Sequence, residues 1–317
     1  MLQQTQVETV RPYFERFVRE LPNIRALAEA TEHQVLRLWE GLGYYRRARQ
    51  LHRAAQVIVR EHGGRFPRDP EAVRQLPGIG RYTAGAILSI AFNQRQPILE
   101  ANTVRLLSRL LAYRGDTASP DGQRLLWATA EALLPQRAPG RFNQALMELG
   151  SQVCRPRSPL CQACPAALLC RARRAGCQAE IPPPKVKPAT EAVREAAVLA
   201  RRGGRVLLLQ WPEGWRWAGL WDFPRFAVRG RRLAEVHREL VDNVCQLTGV
   251  TVRPGEHLQT LRHGVTRFRI TLECYAAEYL CARHVAGRHL ATRWLRPAEL
   301  ESYPLSSTGR KLARLLK

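Results

Sequence analysis

Lysine is almost absent from this sequence. Of fifty basic residues only four are lysines (Lys185, Lys187, Lys311 and Lys317), so residues 1–184 contain none. Covalent catalysis through a Schiff base requires a side-chain amine. The composition therefore excludes a lysine nucleophile from the first 184 residues.

Long hydrophobic runs are also missing. No stretch approaches the roughly 20 apolar residues that span a bilayer. The start, MLQQTQVETV, has no basic leader followed by an apolar segment. We therefore expect a protein without a membrane span or a secretory signal.

Acidic residues are scarce. The 27 Asp and Glu face 50 Lys and Arg, a formal net charge of +23, while 45% of the residues are hydrophobic and 24% are charged. The apolar content excludes general disorder. The excess of positive charge favours a polyanionic partner such as nucleic acid, the alternative being a charge that serves solubility alone.

The chain changes character at IPPPKVKPAT (181–190), which has four prolines and two lysines and is typical of a semi-rigid linker. Before it, apolar residues recur at three- and four-residue spacing, a pattern that predicts helices. The segments are VRPYFERFVREL, HQVLRLWEGL, RQLHRAAQVIVREH and TVRLLSRLLAY.

After the linker, the pattern changes. EAAVLARRGGRVLLLQW predicts two strands, TRFRITLECYAAEY alternates like a strand, and LAEVHRELVDNVCQLTG predicts a helix that ends at Gly249. LSSTGRKLARLLK predicts a short closing helix. We predict an all-α domain over residues 1–180, a linker over 181–191 and a smaller α+β domain over 192–317.

Four of the eight cysteines form a tight pattern. Cys154, Cys161, Cys164 and Cys170 have the spacing C-x6-C-x2-C-x5-C. Four thiolates this close can surround one soft metal centre, and the spacing alone leaves zinc and an iron–sulfur cluster both open. Disulfides are disfavoured because the chain has no export signal. Of the others, Cys177 follows shortly after this set, and we interpret Cys245, Cys274 and Cys281 as core residues.

Arginines flank the cysteine pattern. They favour phosphate contact by a rigid loop, the alternative being a solvated run of charge. They are Arg155, Arg157, Arg171, Arg173 and Arg174.

A second motif is LPGIGRYTAGAIL, which begins at Leu76. Gly78 and Gly80 allow a tight turn before a helix. Amides at the start of that helix would point outward, where they can bind a phosphate. Upstream of four spaced cysteines in a basic chain, the motif predicts contact with a nucleic-acid backbone.

Taken together, MLQQTQV, GLGYYRRAR, LPGIGRYTAGAI, LEANTVR and the cysteine spacing resemble the adenine DNA glycosylase family. This family belongs to the helix-hairpin-helix base-excision superfamily, to which endonuclease III also belongs. The resemblance covers residues 1–170 densely. It continues more loosely through LLLQWP, GLWDFPRF and YPLS, which resemble the family's Nudix-like domain.

The resemblance implies a fold, a cofactor and a partner. The fold is a helix-hairpin-helix glycosylase domain with an iron–sulfur loop, followed by a Nudix-like domain. The four cysteines hold a [4Fe-4S] cluster. The partner is duplex DNA with adenine opposite 8-oxoguanine or guanine, bound by a monomeric, cytoplasmic, nucleoid-associated bacterial protein.

The resemblance also assigns residues. The hairpin at Leu76, Gly78 and Gly80 grips the DNA backbone together with Arg157 of the cysteine loop. Gln3, Gln4 and Tyr44 form the wedge that fills the vacancy left by an extruded base.

For the chemistry, family members have a sugar-facing carboxylate in an Asp-Gly-Asn setting. Here the segment is Glu100-Ala101-Asn102, so the carboxylate is one methylene longer. Tyr82 stands where a hydroxyl assists that carboxylate, the alternative being a buried aromatic residue. Relatives that also cut the strand have a lysine at this position. We therefore predict a monofunctional glycosylase.

The family's general-acid Glu lies just upstream of the residues that match Met1-Leu2-Gln3-Gln4. Two explanations compete: Met1 is an internal methionine of a longer protein, or the protein is short and binds lesions without excising a base. In either case we expect this polypeptide to bind DNA and to be severely impaired in cleavage.

The second domain departs from its relatives as well. Nudix hydrolases need an acid-rich helix for Mg²⁺, whereas HRELVDNVCQLTG offers only Glu239 and Asp242, which predicts no pyrophosphatase activity. The family's lesion-recognition loop corresponds to residues 262–268, with Arg262, His263 and Thr266 as candidates. Val265 and Arg267 replace the family's aromatic residue and histidine. An ordinary basic strand is the alternative.

Two rival functions remain beside the adenine glycosylase. One is a glycosylase of the same superfamily with another base preference. The other is a non-catalytic, cluster-bearing protein that binds DNA lesions.

Overall fold

The computed structural model describes residues 1–3, 5–184, 189–282 and 290–316. Contacts between residues divide the chain into two compact units, one of residues 1–59 with 188–317 and the other of residues 60–187. Part of the predicted linker, residues 185–188, lies outside the described residues, and the domain boundaries at 180 and 192 stay a prediction. Within the described part of the chain, no helix has both the length and the hydropathy needed to cross a bilayer.

The chain begins with helices whose apolar residues share one face. Thr31 and Gln34 form a reciprocal capping box that fixes the start of the third helix, and its Leu36 and Trp39 are fully buried. The helices are α1 (Val7–Glu20), α2 (Ile24–Glu29), α3 (Glu32–Trp39) and α4 (Arg46–His62).

Short helices with side-chain caps build the second unit. Asp69 and Ser119 cap two of them by accepting from backbone amides, and proline follows each cap in the first turn. The helices are α5 (Pro70–Gln75), α6 (Arg81–Phe92), α7 (Ala101–Leu111), α8 (Pro120–Leu133), α9 (Pro139–Glu148) and α10 (Arg171–Arg174), with a π-helical turn at Leu149–Val153.

A sheet forms the C-terminal part. Its strands are β1 (Glu191–Arg202), β2 (Arg205–Gln210), β3 (Trp221–Asp222), β4 (Arg225–Ala227), β5 (Val250–Val265), β6 (Phe268–Ala282) and β7 (Thr292–Leu295). The order of the strands is β3-β2-β1-β6-β5, and β4 also pairs with β1 and β7 with β2. Strands β1 and β6 run parallel, and the other strand pairs are antiparallel. The helices are α11 (Leu233–Thr248), a 3₁₀ helix (Pro297–Ser302), α12 (Ser307–Ala313) and a 3₁₀ turn (Arg314–Leu316).

Both faces of β1 are buried. Ala197 and Leu199 belong to one apolar cluster, whereas Ala196, Val198 and Ala200 belong to the other. Burial on both sides explains why this segment reads as a continuous apolar run rather than as an alternating one. The predicted hairpin at residues 201–204 and the end of α11 at Gly249, with φ 70°, are confirmed.

Two expectations are wrong. The predicted loop at residues 262–268 is the end of a hairpin, in which β5 extends to Val265 and β6 begins at Phe268. The cysteines outside the pattern are not all core residues, because Cys274 is buried whereas Cys245 is half-buried and Cys281 is exposed.

Charged side chains hold the first helices to the C-terminal part within one unit. Arg310 of α12 donates two hydrogen bonds to the Glu40 carboxylate, at 2.6 and 2.9 Å. Both partners are mostly buried, so this bidentate pair is screened little by solvent. It contributes to the grouping of residues 1–59 with residues 188–317.

A buried carboxyl group makes the same unit sensitive to pH. Asp222 accepts a hydrogen bond from the Ser306 hydroxyl at 2.5 Å and one from the Phe223 amide at 3.0 Å. Burial nevertheless raises the pKa of the Asp222 carboxyl from 3.8 to about 6. A raised pKa means that the folded state binds this proton more tightly than the unfolded state does.

We predict that Asp222 lowers the stability of this unit as the pH rises from 4 through about 6. Two pKa units correspond to about 3 kcal/mol, and an Asp222→Asn variant lacks this dependence because it stays neutral. Urea unfolding followed by tryptophan fluorescence between pH 4.5 and 8 measures the difference. Parallel curves for the two proteins would contradict the assignment.

Candidate active site

The LPGIG segment connects α5 to α6. Gly78 has a φ of 76°, which favours glycine, and the Ile79 amide donates to the Leu76 carbonyl at 3.1 Å. Gly80 is the N-cap of α6 with a φ of −90°, and a Cβ added there would meet nothing within 4 Å. Leu76 is buried. The exposed backbone of the turn, rather than the Leu76 side chain, is therefore available to a ligand.

Glu100 caps helix α7 with its carboxylate. Its two oxygens accept from the amides of Asn102 and Thr103, each at 2.9 Å, and the Thr103 hydroxyl accepts from the Glu100 amide at 2.7 Å. The longer side chain of Glu thus makes the contacts that an Asp makes at an N-cap. These hydrogen bonds fix the direction of the carboxylate at a half-buried position.

Tyr82 is close enough to the Glu100 carboxylate for the two groups to interact electrostatically. It stands in the first turn of α6, is half-buried, and its hydroxyl contacts the Met147 sulfur at 3.5 Å. Burial and, to a smaller degree, the Glu100 carboxylate raise the pKa of the Tyr82 phenol. The phenol therefore stays protonated and is able to donate a hydrogen bond.

Asn102 is held by a residue that sequence reasoning missed. Arg105 donates to the Asn102 side-chain oxygen at 3.0 Å, to the Cys154 carbonyl at 2.7 Å and to the Gly150 carbonyl. A Cβ on Gly150 would lie 2.9 Å from Asn102. Arg105 therefore links the start of α7, next to Glu100, to the backbone at the first cysteine of the pattern. Arg105 follows Glu100 by five residues, but nothing in its sequence context marks it as buried.

All four cysteines of the pattern line one cavity, together with Leu106, Arg109, Val153 and Gln178. Among the described residues, no three or more His, Cys, Asp or Glu side chains are arranged to hold a single metal ion. The nearby Arg157 is exposed. Because the four cysteines share this cavity, it is the candidate site for a bound metal group.

Arg109 is the second residue that sequence reasoning missed. It is 2% exposed and donates to the carbonyls of Ile181, Arg155 and Pro156 at 2.8, 2.7 and 3.1 Å. It also contacts the Cys154 sulfur at 3.3 Å. A buried guanidinium among carbonyls leaves a positive charge that a bound anionic group would balance.

The residues predicted to form the wedge belong to the unit of residues 1–59 and 188–317. Tyr44 is exposed and has a φ of 49°, a strained backbone for a residue that is not glycine. Arg47 lies 5.4 Å from the centre of its ring and donates to the carbonyls of Met1 and Gln3. Arg47 thereby brings Gln3 and Tyr44 together, whereas Gln4 lies outside the described residues.

The lesion-recognition candidates lie at the end of the β5–β6 hairpin. Arg262 is exposed on β5, and Thr266 is exposed in the turn with a φ of 52°. His263 is half-buried, and its Nε2 lies 3.0 Å from Arg225 Nη2. Arg262 and Thr266 are accessible to a ligand, whereas His263 is directed toward another protein side chain.

On helix α11, the Glu239 side chain is hydrogen-bonded to the protein backbone. The Glu239 carboxylate accepts from the amides of Arg229 and Gly230 at 2.9 and 2.7 Å. These contacts hold the loop before α11 to the helix; the absence of pyrophosphatase activity stays a prediction.

Comparisons with known proteins match both halves of the chain. A family of HhH-GPD superfamily base excision DNA repair proteins matches residues 1–131, and a NUDIX domain family matches residues 195–315. A solved thermostable thymine-DNA glycosylase is 28% identical, with a TM-score of 0.50 over 55% of this chain and 80% of that chain. The predicted order, a helix-hairpin-helix glycosylase domain followed by a Nudix-like domain, is confirmed.

Relatives of known function extend over nearly the whole chain. The adenine DNA glycosylases of Rattus norvegicus and Homo sapiens are each 33% identical over 99% of this chain, which spans 70% and 66% of those proteins. The adenine DNA glycosylase of Buchnera aphidicola subsp. Acyrthosiphon pisum is 34% identical over 78% of this chain and 71% of that protein. The chain belongs to the adenine DNA glycosylase family.

Proposed function

We propose that this chain belongs to a monofunctional DNA glycosylase that removes adenine opposite 8-oxoguanine or guanine. It supplies the carboxylate that faces the sugar, whereas the general acid that protonates the departing adenine is not among its residues, so this polypeptide alone cleaves poorly. The observation that carries the proposal is the Glu100 carboxylate, held at the start of α7 beside the protonated phenol of Tyr82. Loss of a purine leaves the sugar with positive charge, which a fixed carboxylate stabilises. Membership of the family supports adenine as the base.

The adenine must leave the helix stack to reach this carboxylate. Gln3 and Tyr44, held together by Arg47, are the residues that we propose to occupy its place. The hairpin amides at Gly80 and the exposed Arg157 bind the backbone. Residues 1–184 offer no lysine for a Schiff base, so bond cleavage ends at an abasic site.

A charged analogue tests the role of Glu100. A duplex that carries a protonated pyrrolidine in place of the sugar mimics the cationic intermediate, and a tetrahydrofuran duplex is its neutral counterpart. We predict that Glu100→Gln weakens binding of the cationic duplex by about 100-fold and that of the neutral duplex by less than about threefold.

The comparison needs no proton transfer to adenine, so it is independent of the general acid. Glu131→Gln, an exposed residue of α8, is the matched control and should change neither affinity. An equal loss on both duplexes after Glu100→Gln would show that Glu100 only supports the fold. Failure of the wild-type protein to prefer the cationic duplex would contradict glycosylase chemistry.

Substitutions of the two hairpin glycines test protein stability and DNA binding separately. Gly80→Ala should leave stability unchanged, because its φ is ordinary and its Cβ meets nothing, but should weaken binding to undamaged duplex about tenfold by blocking close approach of a phosphate. Gly78→Ala should lower stability by about 1 kcal/mol because of its positive φ. Thermal unfolding and a titration with fluorescent duplex measure both effects. Unchanged DNA affinity in Gly80→Ala would remove the hairpin from the interface.

We also propose that Cys154, Cys161, Cys164 and Cys170 hold a [4Fe-4S] cluster. Their common cavity and the buried charge of Arg109 support an anionic tetrathiolate group. Bound to this site, the cluster supplies iron–thiolate bonds that tie the loop together.

Iron content tests the cluster. The purified protein should contain about four irons per chain and absorb near 400 nm. Cys161→Ala should lose the iron, whereas Cys177→Ala should keep it because the buried Cys177 is outside the ligand set. Zinc in place of iron, or equal loss in both variants, would contradict the proposed ligands.

A further inference from the structure

Arg225 is a buried charged side chain of the sheet that contacts several elements at once. It lies on β4, is 3% exposed, and donates to the Glu195 carboxylate, to the Thr308 hydroxyl at 2.9 Å and to the His263 ring at 3.0 Å. Its guanidinium also lies 4.2 Å from the centre of the Trp217 ring. One guanidinium therefore joins β1, α12, β5 and the segment before β3.

The contact with His263 fixes the state of its ring. A guanidinium has no acceptor, so Nε2 must accept and carries no proton. The proton of the neutral ring is then on Nδ1, which is buried and has no hydrogen-bond partner within the described residues. Burial, and then the charge of Arg225, lower the pKa of His263, in agreement with a neutral ring.

A second arginine holds the other strand of the hairpin. Arg216 contacts Glu195 at 3.4 Å and lies 4.7 Å from the centre of the Phe268 ring. Glu195 thus binds both arginines, one on each side of the hairpin end. Residues 264–267 lie between His263, which contacts Arg225, and Phe268, which contacts Arg216. Of these residues, both Thr266 and Arg267 are exposed.

The β6 side of this hairpin end is held by its neighbours, because the Glu191 amide of β1 donates to the Arg267 carbonyl at 3.0 Å and Phe268 packs against a buried apolar cluster. Strand β5 is at the edge of the sheet and pairs only with β6 among the described strands. Its register shifts three times between Thr251 and Gln259. From Gln259 to Val265 the pairing with β6 is continuous. The contact of His263 with Arg225 adds a side-chain link from the outer strand β5 to β1 and α12.

We propose that Arg225 is a positioning residue for lesion recognition, which acts through His263 to hold the turn at residues 264–267 in the orientation that meets the base opposite adenine. The inference rests on the proposed function and changes the role of His263 from a DNA contact to a link inside the protein. When contacts within the protein already hold the turn in one orientation, DNA binding does not have to order it, and the loss of conformational entropy on binding is smaller.

Substitution of His263 separates this link from bulk packing. His263→Gln keeps a neutral acceptor for Arg225, whereas His263→Leu removes it at similar size. The ratio of the dissociation constants for adenine opposite guanine and opposite 8-oxoguanine measures recognition. We expect His263→Leu to lower this ratio at least fivefold, with affinity for undamaged duplex within twofold of wild type, and His263→Gln to retain it. His257→Leu, an exposed histidine of the same strand, is the matched control.

Hydrogen exchange of the protein without DNA tests the link independently of the substrate. Amides of residues 264–269 should exchange at least tenfold faster in His263→Leu, and also in Arg225→Lys, whose compact ammonium cannot reach Glu195, Thr308 and His263 together. The amides of His263→Gln should keep wild-type rates. Unchanged exchange in both His263→Leu and Arg225→Lys would overturn the inference. A wild-type protein that does not distinguish the two mispairs, but whose exchange changes as expected, would contradict the proposed substrate while supporting the link.

Discussion

Helix α7 is the constraint on which the proposed chemistry depends. Its first residues are capped by the Glu100 carboxylate, and its buried face carries Arg105 and Arg109, which reach the backbone around Cys154. Residues four apart lie on one face of a helix. The two arginines therefore point together at the cysteine loop, while the carboxylate stands at the end of the same rigid element.

This arrangement explains how two distant sequence motifs act together. The cysteine pattern begins more than fifty residues after Glu100, yet Arg105 bonds both the Asn102 side chain and the Cys154 carbonyl. Buried guanidinium groups are costly unless their donors are satisfied. Backbone carbonyls of the loop satisfy them here, and an anionic cluster would balance their charge. Loss of the loop structure would leave both arginines buried without partners and would release the start of α7.

Sequence reasoning succeeded where the signal was local. Apolar spacing predicted α1, α3, α4 and α7, and Gly249 marked the end of α11, because each depends on residues close in the chain. It missed most of β5, where Pro254 and Gly255 interrupt the alternation and the strand lies at an edge with irregular register.

The site was predictable only in part for the same reason. Motifs singled out Glu100, Tyr82 and the four cysteines as candidates, whereas Arg47, Arg109 and Arg225 make their contacts across long separations in the chain. In a chain with so many arginines, composition cannot tell a buried guanidinium from an exposed one. The predicted loop at residues 262–268 proved to be the end of a hairpin, and the contact of Arg225 with His263 becomes visible only when the strands are assembled.

We infer from these contacts that Arg105 transmits the order of the cysteine loop to the Glu100 carboxylate. Residue-resolved hydrogen exchange of the Asn102 and Thr103 amides, the two donors to that carboxylate, measures this directly in an Arg105→Met protein. The account predicts exchange at least about tenfold faster at both amides, with no change in Arg124→Met, which alters an exposed arginine of α8. Wild-type exchange at Asn102 and Thr103 in the Arg105→Met protein would contradict it.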